Sequence, residues 1–186
     1  MTSYSAERSI GARIAAARRA RGYRTTREFV AAMAGTGISV AVLENIESGR
    51  RSNLDIGHIF NIAHALHVPV SALLVPISRP DDLVDLPNLD PELARMTAAQ
   101  FDAWLTGSTT GAYIAATADE RNDLAELNAL RELQEAAREL RRLETVSQLR
   151  ADEPEPLRQA TAAQIAAIQA RVDGLRSYLQ SAGWEI

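Results

Sequence analysis

The strongest constraint on the fold is a long apolar stripe with helical spacing in the second half of the sequence. Leu, Ala and Val recur at steps of three and four residues between positions 127 and 146, which is the repeat of one helix face. Glu and Arg alternate on the opposite face, as on a helix exposed to water. The pattern predicts one helix over residues 118–149, ~45 Å long at about 1.5 Å per residue. The stripe consists of Leu127, Leu130, Leu133, Ala137, Leu140, Leu143 and Val146.

Helical spacing also dominates the rest of the chain. The alternation of apolar and polar residues that marks a half-buried strand is missing, so the sequence predicts an all-α fold. Capping boxes indicate helix starts, because a Thr and a Glu or Gln three residues later can bond each other's backbone amides. Four such pairs precede apolar helical patterns: Thr25 with Glu28, Thr97 with Gln100, Thr117 with Glu120 and Thr161 with Gln164.

The same signals predict five short helices within residues 1–76. They are expected over residues 5–21, 26–34, 40–48 and 56–67, followed by a short fifth helix that ends before Pro76. Ser39 and Asp55 are the expected N-caps of the third and fourth helices. Gly49 is expected to adopt a positive φ just after the third helix.

The last apolar pattern in the sequence has the spacing of a coiled-coil seam. Its members are separated by three and four residues in turn, and they are Ile165, Ile168, Val172, Leu175 and Leu179. This length corresponds to about two heptads. It fits a coiled coil between chains and an antiparallel hairpin with the long helix equally well. We therefore expect a C-terminal helical domain that contains the long helix and either of these arrangements.

Charge divides the chain into two parts. Residues 1–80 contain ten Arg and five acidic residues, a net charge of +5, whereas residues 81–186 contain ten Arg and nineteen acidic residues, a net charge of −9. Parts of opposite charge are best treated as separate functional units. The segment 77–90 is rich in Pro and Asp and lacks periodicity. We therefore expect a linker there, between domains over residues 1–76 and 91–186.

Several functional classes lack their sequence signatures. The chain has no Cys, which excludes disulfides, thiolate nucleophiles and Cys-ligated zinc. Neither a nucleophile elbow nor a Gly-rich phosphate loop is present, so we expect no enzymatic activity and no cofactor. His58, His64 and His67 form no HExxH motif, and we expect no metal site. No apolar run approaches the ~18 residues of a membrane span and no secretory signal is found, so a cytoplasmic protein is expected.

Two segments of the N-terminal half carry a family resemblance. They are ISVAVLENIESGRR at residues 38–51 and NIAHALHVPVSALL at residues 61–74. Together they resemble the recognition helix, its exit and the closing helices of the repressor/Cro-like (XRE-type) helix-turn-helix domain, over about residues 7–76. The chain from about residue 80 onward, with MTAAQFDAWL at residues 96–105, resembles the region C-terminal to this domain in actinobacterial and actinophage immunity repressors.

The resemblance implies a DNA-binding domain whose third helix, about residues 39–48, enters the major groove. Base contacts are then expected from Ser39, Val40, Ala41, Glu44 and Asn45. The Asn45 amide can make two hydrogen bonds to adenine, whereas Val40 and Ala41 can contact a thymine methyl group. The family commonly has Gln, Ser or Arg at these places, and a shorter turn before the recognition helix.

Phosphate contacts are expected from Arg side chains and from backbone amides at helix starts. The candidates flank the second and third helices, and they are Arg24, Thr25, Arg27, Arg50, Arg51, Ser52 and Asn53. The resemblance also implies an ion pair between Arg18 and Glu47 that holds the first helix against the third.

These features together predict a sequence-specific transcriptional repressor of the phage or prophage immunity type, which binds double-stranded operator DNA. Helix-turn-helix proteins usually bind two half-sites ~34 Å apart as dimers, so we expect a homodimer through the C-terminal helices. The alternative is an antitoxin-like protein whose acidic C-terminal half binds a protein partner such as a basic toxin. A further alternative is a monomer whose second domain folds on itself or touches DNA.

Overall fold

The computed structural model describes residues 3–51, 53–109, 111–149 and 154–186. These residues form nine α-helices and, apart from an isolated bridge between Leu83 and Thr97, no β-structure, so the predicted all-α class is confirmed. In chain order the helices are α1 (Ile10–Ala20), α2 (Thr26–Ala32), α3 (Val40–Glu47), α4 (Ile56–Leu66), α5 (Val70–Leu74), α6 (Pro91–Ala94), α7 (Ala98–Thr106), α8 (Ala118–Leu149) and α9 (Glu155–Ser181). None of the helices in these ranges is both long enough and apolar enough to cross a membrane.

The predicted capping boxes form in full at two of the four positions, Thr25 with Glu28 and Thr97 with Gln100. Before α8 the box forms by half. The Thr117 hydroxyl accepts the Glu120 N–H at 3.1 Å, but the Glu120 carboxylate accepts the Ala116 N–H instead of that of Thr117.

The expected capping box of Thr161 with Gln164 is wrong. Helix α9 already begins at Glu155, and the Thr161 hydroxyl lies inside it, where it donates a hydrogen bond to Leu157 O at 3.0 Å. Pro156 falls in the first turn of α9, where backbone N–H groups have no partner within the helix, so a proline loses nothing there. The segment with Pro154 and Pro156 therefore forms the start of α9, and this start lies before the one that a cap at Thr161 would give.

The chain divides into two compact units, an N-terminal unit that ends at Tyr113 and a C-terminal unit over Ile114–Ile186. The sequence pattern predicts a linker at residues 77–90, whereas this segment is packed within the N-terminal unit. Val84, at its middle, is only 7% exposed and joins Val75, Ala98 and Phe101 in a small apolar cluster. This burial attaches α7 to the five helices before it.

The main core of the N-terminal unit lies among α1, α2, α3, α4 and α5. Each of these helices contributes, because each has an apolar face at helical spacing. The fully buried members include Ile14, Phe29, Leu43, Ile62, Leu66 and Leu73. Leu43 belongs to α3, so one face of this helix packs in the core and the opposite face is exposed.

A buried arginine fastens the start of the N-terminal unit to α5. The Arg13 guanidinium is fully buried. It donates hydrogen bonds to Leu73 O and Leu74 O, both at 2.7 Å, and to the carbonyls of Glu7 and Arg8. Carbonyls in the last turn of a helix lack partners within the helix, and Arg13 supplies them at the end of α5. Burial lowers the pKa of Arg13 to about 10, so the group stays protonated at neutral pH.

The C-terminal unit is an antiparallel hairpin of α8 and α9. Trp184, just beyond α9, donates from its indole N–H to a Glu126 carboxylate oxygen at 2.8 Å, and Arg171 pairs with Glu132 at 2.8 Å. Contacts that run from the start of α8 to the end of α9 define opposite helix directions. The apolar residues of α9 pack on α8, in a cluster that contains Leu133, Ala136, Ile168, Val172, Leu175 and Leu179. Ala136 is buried in this cluster, whereas Ala137, the alanine of the predicted stripe, is only half-buried. Of the two arrangements that the seam allowed, this unit adopts the hairpin.

Candidate nucleic-acid interface

Helix α3 has one face in the core and one face in water. Leu43 and Ile46 are fully buried, whereas Ala41, Glu44 and Asn45 are exposed. This division follows from the helical repeat, which turns residues 43 and 46 to one side and their neighbours to the other. Three of the five residues expected to contact bases therefore share the exposed face.

The other two expected base contacts lie at the start of α3. The Ser39 hydroxyl accepts the Val42 N–H at 3.2 Å and so caps the helix, as expected for an N-cap serine. Val40 is half-buried. The first turn of α3 thus offers the Ser39 hydroxyl and part of the Val40 side chain beside exposed Ala41.

The connection from α2 to α3 is long, and it is anchored in the core by an apolar side chain at each end, Met33 and Ile38. Gly35 and Gly37 take positive φ angles of 88° and 73°, which side chains other than hydrogen rarely tolerate. The Thr36 hydroxyl donates to Met33 O at 2.8 Å, and Ile38 is buried in the core. The burial of Ile38 sets where α3 begins.

A glycine in α1 sets how closely α3 packs against that helix. A Cβ atom added at Gly11 would lie 2.3 Å from Ile46 O and 2.7 Å from Glu47 O. The backbone of α1 therefore touches the C-terminal turn of α3, which only glycine permits. Sequence reasoning missed this contact, although a Gly inside a helix is a known sign of close packing.

An ion pair ties α1 to the same end of α3. Arg18 Nε lies 2.7 Å from Glu47 Oε1, and a second bond of 2.9 Å joins the other nitrogen and oxygen of the pair. Arg18 also donates to the carbonyls of Tyr23 and Arg24 at 2.8 and 3.1 Å. The hydrogen bond to Glu47 raises the pKa of Arg18 above its ordinary value. The structure thus brings together the two residues that the resemblance paired, and Arg18 also bonds to the turn before α2.

Helix α2 is joined to the exposed face of α3 by a hydrogen bond that the sequence did not indicate. The Thr26 hydroxyl donates to Glu44 Oε1 at 3.1 Å. Glu44, an expected base contact, is therefore oriented by α2. The Asn45 side chain is exposed and makes no hydrogen bond with other residues of the described ranges.

Exposed arginines flank these two helices. Arg24 precedes α2, Arg27 lies in its first turn and Arg50 follows α3, and all three are exposed. Within the described ranges none of their side chains forms an ion pair. Thr25, placed between the first two, is occupied as the α2 cap and accepts the Glu28 N–H at 3.2 Å. The three arginines are thus available cations beside the exposed face of α3.

The loop after α3 is turned by a glycine and held by an arginine. Gly49 has a positive φ of 70°, as predicted, and the Arg51 N–H donates to Asn45 O at 3.2 Å. The half-buried Arg51 side chain donates from Nε to Asn53 O at 2.9 Å. Arg51 and Asn53, two expected phosphate contacts, therefore bond to each other, and Ser52, expected between them, lies outside the described residues.

The three histidines do not assemble into a ligand cluster. The rings of His64 and His67 have centroids 6.4 Å apart, and no group of three His, Cys, Asp or Glu within the described ranges is arranged to hold a metal ion. His67 instead ends α4 with a left-handed backbone (φ 51°), beside an Arg21 that donates to Leu66 O at 2.7 Å.

Comparison with known proteins gives no relative. No family model, no curated protein and no solved structure matches this chain.

Proposed function

We propose that the chain is a sequence-specific transcriptional repressor of the phage or prophage immunity type, which binds double-stranded DNA in the cytoplasm. In this proposal α1 to α5 form a repressor/Cro-like helix-turn-helix domain, and α3 enters the major groove. The observation that carries it is the exposed face of α3, with Ala41, Glu44 and Asn45 outward and Leu43 and Ile46 in the core. A helix of this kind fits the major groove, where each base pair displays a distinct pattern of hydrogen-bonding groups.

The charges around α3 support the same proposal. Arg24, Arg27 and Arg50 are exposed and lie at the ends of α2 and α3. Cations placed in this way beside a groove-reading helix neutralise phosphates and fix the position of the helix on the duplex. Arg51 instead stabilises the loop after α3, since its Nε already donates to Asn53 O.

Base discrimination is assigned to the exposed side chains of α3. The Asn45 amide pairs with adenine, the Val40 and Ala41 side chains contact a thymine methyl group, and a carboxylate such as that of Glu44 accepts from the cytosine amino group. The hydrogen bond from Thr26 fixes the Glu44 carboxylate, so this side chain reaches the groove in a preset orientation.

A homodimer is part of this proposal, although the α9 seam is already covered by α8. Several apolar residues of the hairpin remain half-buried, among them Leu130 and Leu140 of α8 and Ile168 and Leu175 of α9. A second copy that packs along the edges of the hairpin would cover their exposed parts, as in bundles of four helices. Mass in solution, measured with and without operator DNA, tests this: a strict monomer in both states rules the dimer out.

The second candidate function is that of an antitoxin-like protein that binds a protein partner through its C-terminal half. The observation that favours it is the charge of −9 over residues 81–186, much of it on exposed faces of α8 and α9 such as Glu135 and Asp173. Such a surface complements a basic partner.

Footprinting on the DNA that flanks the gene tests the proposed function and separates the two candidates. Protection of a defined sequence supports the repressor, whereas no protection anywhere at moderate salt favours the protein-binding function. Substitution Arg50→Ala should weaken binding to all sequences alike and lower the salt slope by about one. Arg158→Ala, which removes an exposed arginine of α9, is the control and should leave the slope unchanged.

The base-reading role has its own test in Asn45→Ala. This change should cost ~1–3 kcal/mol at the one base pair that Asn45 reads and should relax preference there. An equal loss on every sequence would refute the assignment.

A further inference from the structure

The N-terminal unit contains an apolar cavity that the proposed function does not use. Its volume is about 620 Å³. Four segments wall it: α4 with Ile56 and Phe60, α5 with Leu74, the segment before α6 with Leu86 and Leu89, and the end of α7 with Leu105. The cavity exists only because residues 77–106 pack against the five-helix core, so it belongs to the part of the unit for which the sequence predicts a linker and a separate domain.

The mouth of the cavity keeps large apolar side chains in water. Ile56 is 70% exposed, Phe60 is 50% exposed and Leu105 is 41% exposed. Contiguous apolar surface of this kind is unusual on a soluble protein and marks a binding site. The three side chains come from two helices far apart in sequence and converge on one opening.

The lining determines what class of molecule fits. Among the residues that the structure describes, none of those lining the cavity is charged, and Ser71 and Thr106 are the ones that bring side-chain hydroxyls. The Thr106 hydroxyl already donates to Asp102 O at 2.7 Å. Protein interfaces carry about one hydrogen bond per 100–200 Å² and a polar rim, which this lining does not offer. Its volume falls in the range of roughly 300–1,000 Å³ that small-molecule pockets occupy.

We propose that this cavity binds a neutral, apolar small molecule. The apolar lining, drawn from four segments of the chain, favours such a ligand over a protein, because the ligand can bury apolar surface there without having to pair charges. Binding is driven by removal of the exposed parts of Ile56, Phe60 and Leu105 from water.

A ligand in the cavity also affects the candidate DNA-binding surface, and this part of the inference rests on the proposed function. Leu54 lines the cavity directly after the loop that contains Arg51 and Asn53, and Ile56 is the first residue of α4. Between them Asp55 caps α4 by accepting the His58 N–H at 3.1 Å. A ligand against Leu54 and Ile56 therefore biases the position of the loop after α3, and with it the affinity for DNA.

The experiment uses the full chain and the neutral fluorescent probe N-phenyl-1-naphthylamine. Wild type should show saturable fluorescence enhancement, and the double variant Phe60→Gln/Leu105→Gln should bind the probe at least about tenfold more weakly. Leu83→Gln is the matched control, since Leu83 is 60% exposed and lies outside the cavity lining, and it should bind as wild type does. All changed positions are exposed, and unaltered helical circular dichroism verifies that the variants fold.

Three results would overturn the proposed ligand binding in the cavity. They are probe fluorescence that does not saturate, equal probe affinity of wild type and the double variant, and a loss of probe affinity in Leu83→Gln as large as that in the double variant. A wild-type dimer that the double variant converts to a monomer would show that a second copy occupies the cavity, and would overturn it as well. With DNA, saturating probe should change the affinity by about fivefold or more. An unchanged affinity refutes the link to DNA binding, whereas no DNA binding with or without probe counts against the proposed function and not against the cavity.

Discussion

Gly11 gives the sharpest test of how α3 is positioned. In Gly11→Ala the new methyl group would lie 2.3 Å from Ile46 O, whereas ordinary contacts begin near 3.4 Å. The obstacle is backbone, so α1 and α3 must separate by roughly 1 Å, the scale of change at which overpacking costs ~1–3 kcal/mol or more. Alanine gains up to ~1 kcal/mol over glycine inside a helix, which offsets part of this cost. We expect a net loss of about 2 kcal/mol in the free energy of unfolding of the N-terminal unit.

Gly174 provides the matched control. It lies inside α9, and a Cβ atom added there would meet no heavy atom within 4 Å. Gly174→Ala should therefore stabilise the C-terminal unit by ~0.5–1 kcal/mol through helix propensity alone. The same chemical change is thus expected to act with opposite sign in the two helices.

Each unit can be followed through its own tryptophan. Trp104 lies in the N-terminal unit and Trp184 in the C-terminal unit. Urea unfolding in a Trp184→Phe background reports Gly11→Ala, and a Trp104→Phe background reports Gly174→Ala. The midpoint should fall in the first case and rise in the second, at constant urea dependence of the free energy. If Gly11→Ala left the Trp104 midpoint unchanged or raised it, the close approach of α1 and α3 would be refuted.

Three further predictions concern stability. Arg13→Ala should lower the urea midpoint of the N-terminal unit by the equivalent of ~3 kcal/mol, because it strands several buried carbonyls; a loss below about 1 kcal/mol would contradict this. Thr97→Ala should destabilise by ~1 kcal/mol as the loss of a cap, whereas Thr161→Ala, inside α9, should not destabilise its unit, and equal losses would contradict the helix start at 155. The His58 N–H lowers the pKa of Asp55, so the stability that the ionised carboxylate contributes is present at neutral pH and lost as the pH falls through that lowered pKa. Asp55→Asn retains a cap, and its melting temperature should fall less than that of wild type between about pH 7 and pH 3.

Local interactions explain why the sequence alone predicts most helix bounds. The N-cap bond of Ser39, the box of Thr97 with Gln100 and the turn at Gly49 each join residues a few positions apart, so their patterns can be read along the chain. Helical periodicity likewise identifies Leu43 and Ile46 as core residues, and therefore the outward face of α3. The failure at Thr161 has a local cause too, since a proline in the first turn competes as a helix start.

Contacts between distant residues had no such pattern. Whether the α9 seam packs on α8 or on another chain is decided by apolar contacts between residues far apart in sequence, such as those of the cluster that contains Leu133 and Val172. The Pro and Asp residues around Val84 predict a linker, yet its burial depends on Phe101, which periodicity cannot connect to it.

The sequence by itself therefore determined that this chain is helical, where most of its helices begin and which face of α3 meets solvent, because caps and periodicity act within one or two turns. The tertiary structure alone decided the boundary after Tyr113, the approach of α1 to α3 at Gly11, the burial of Arg13 and the apolar cavity. These features depend on which distant surfaces pack together, and packing is set by the shape of the whole core.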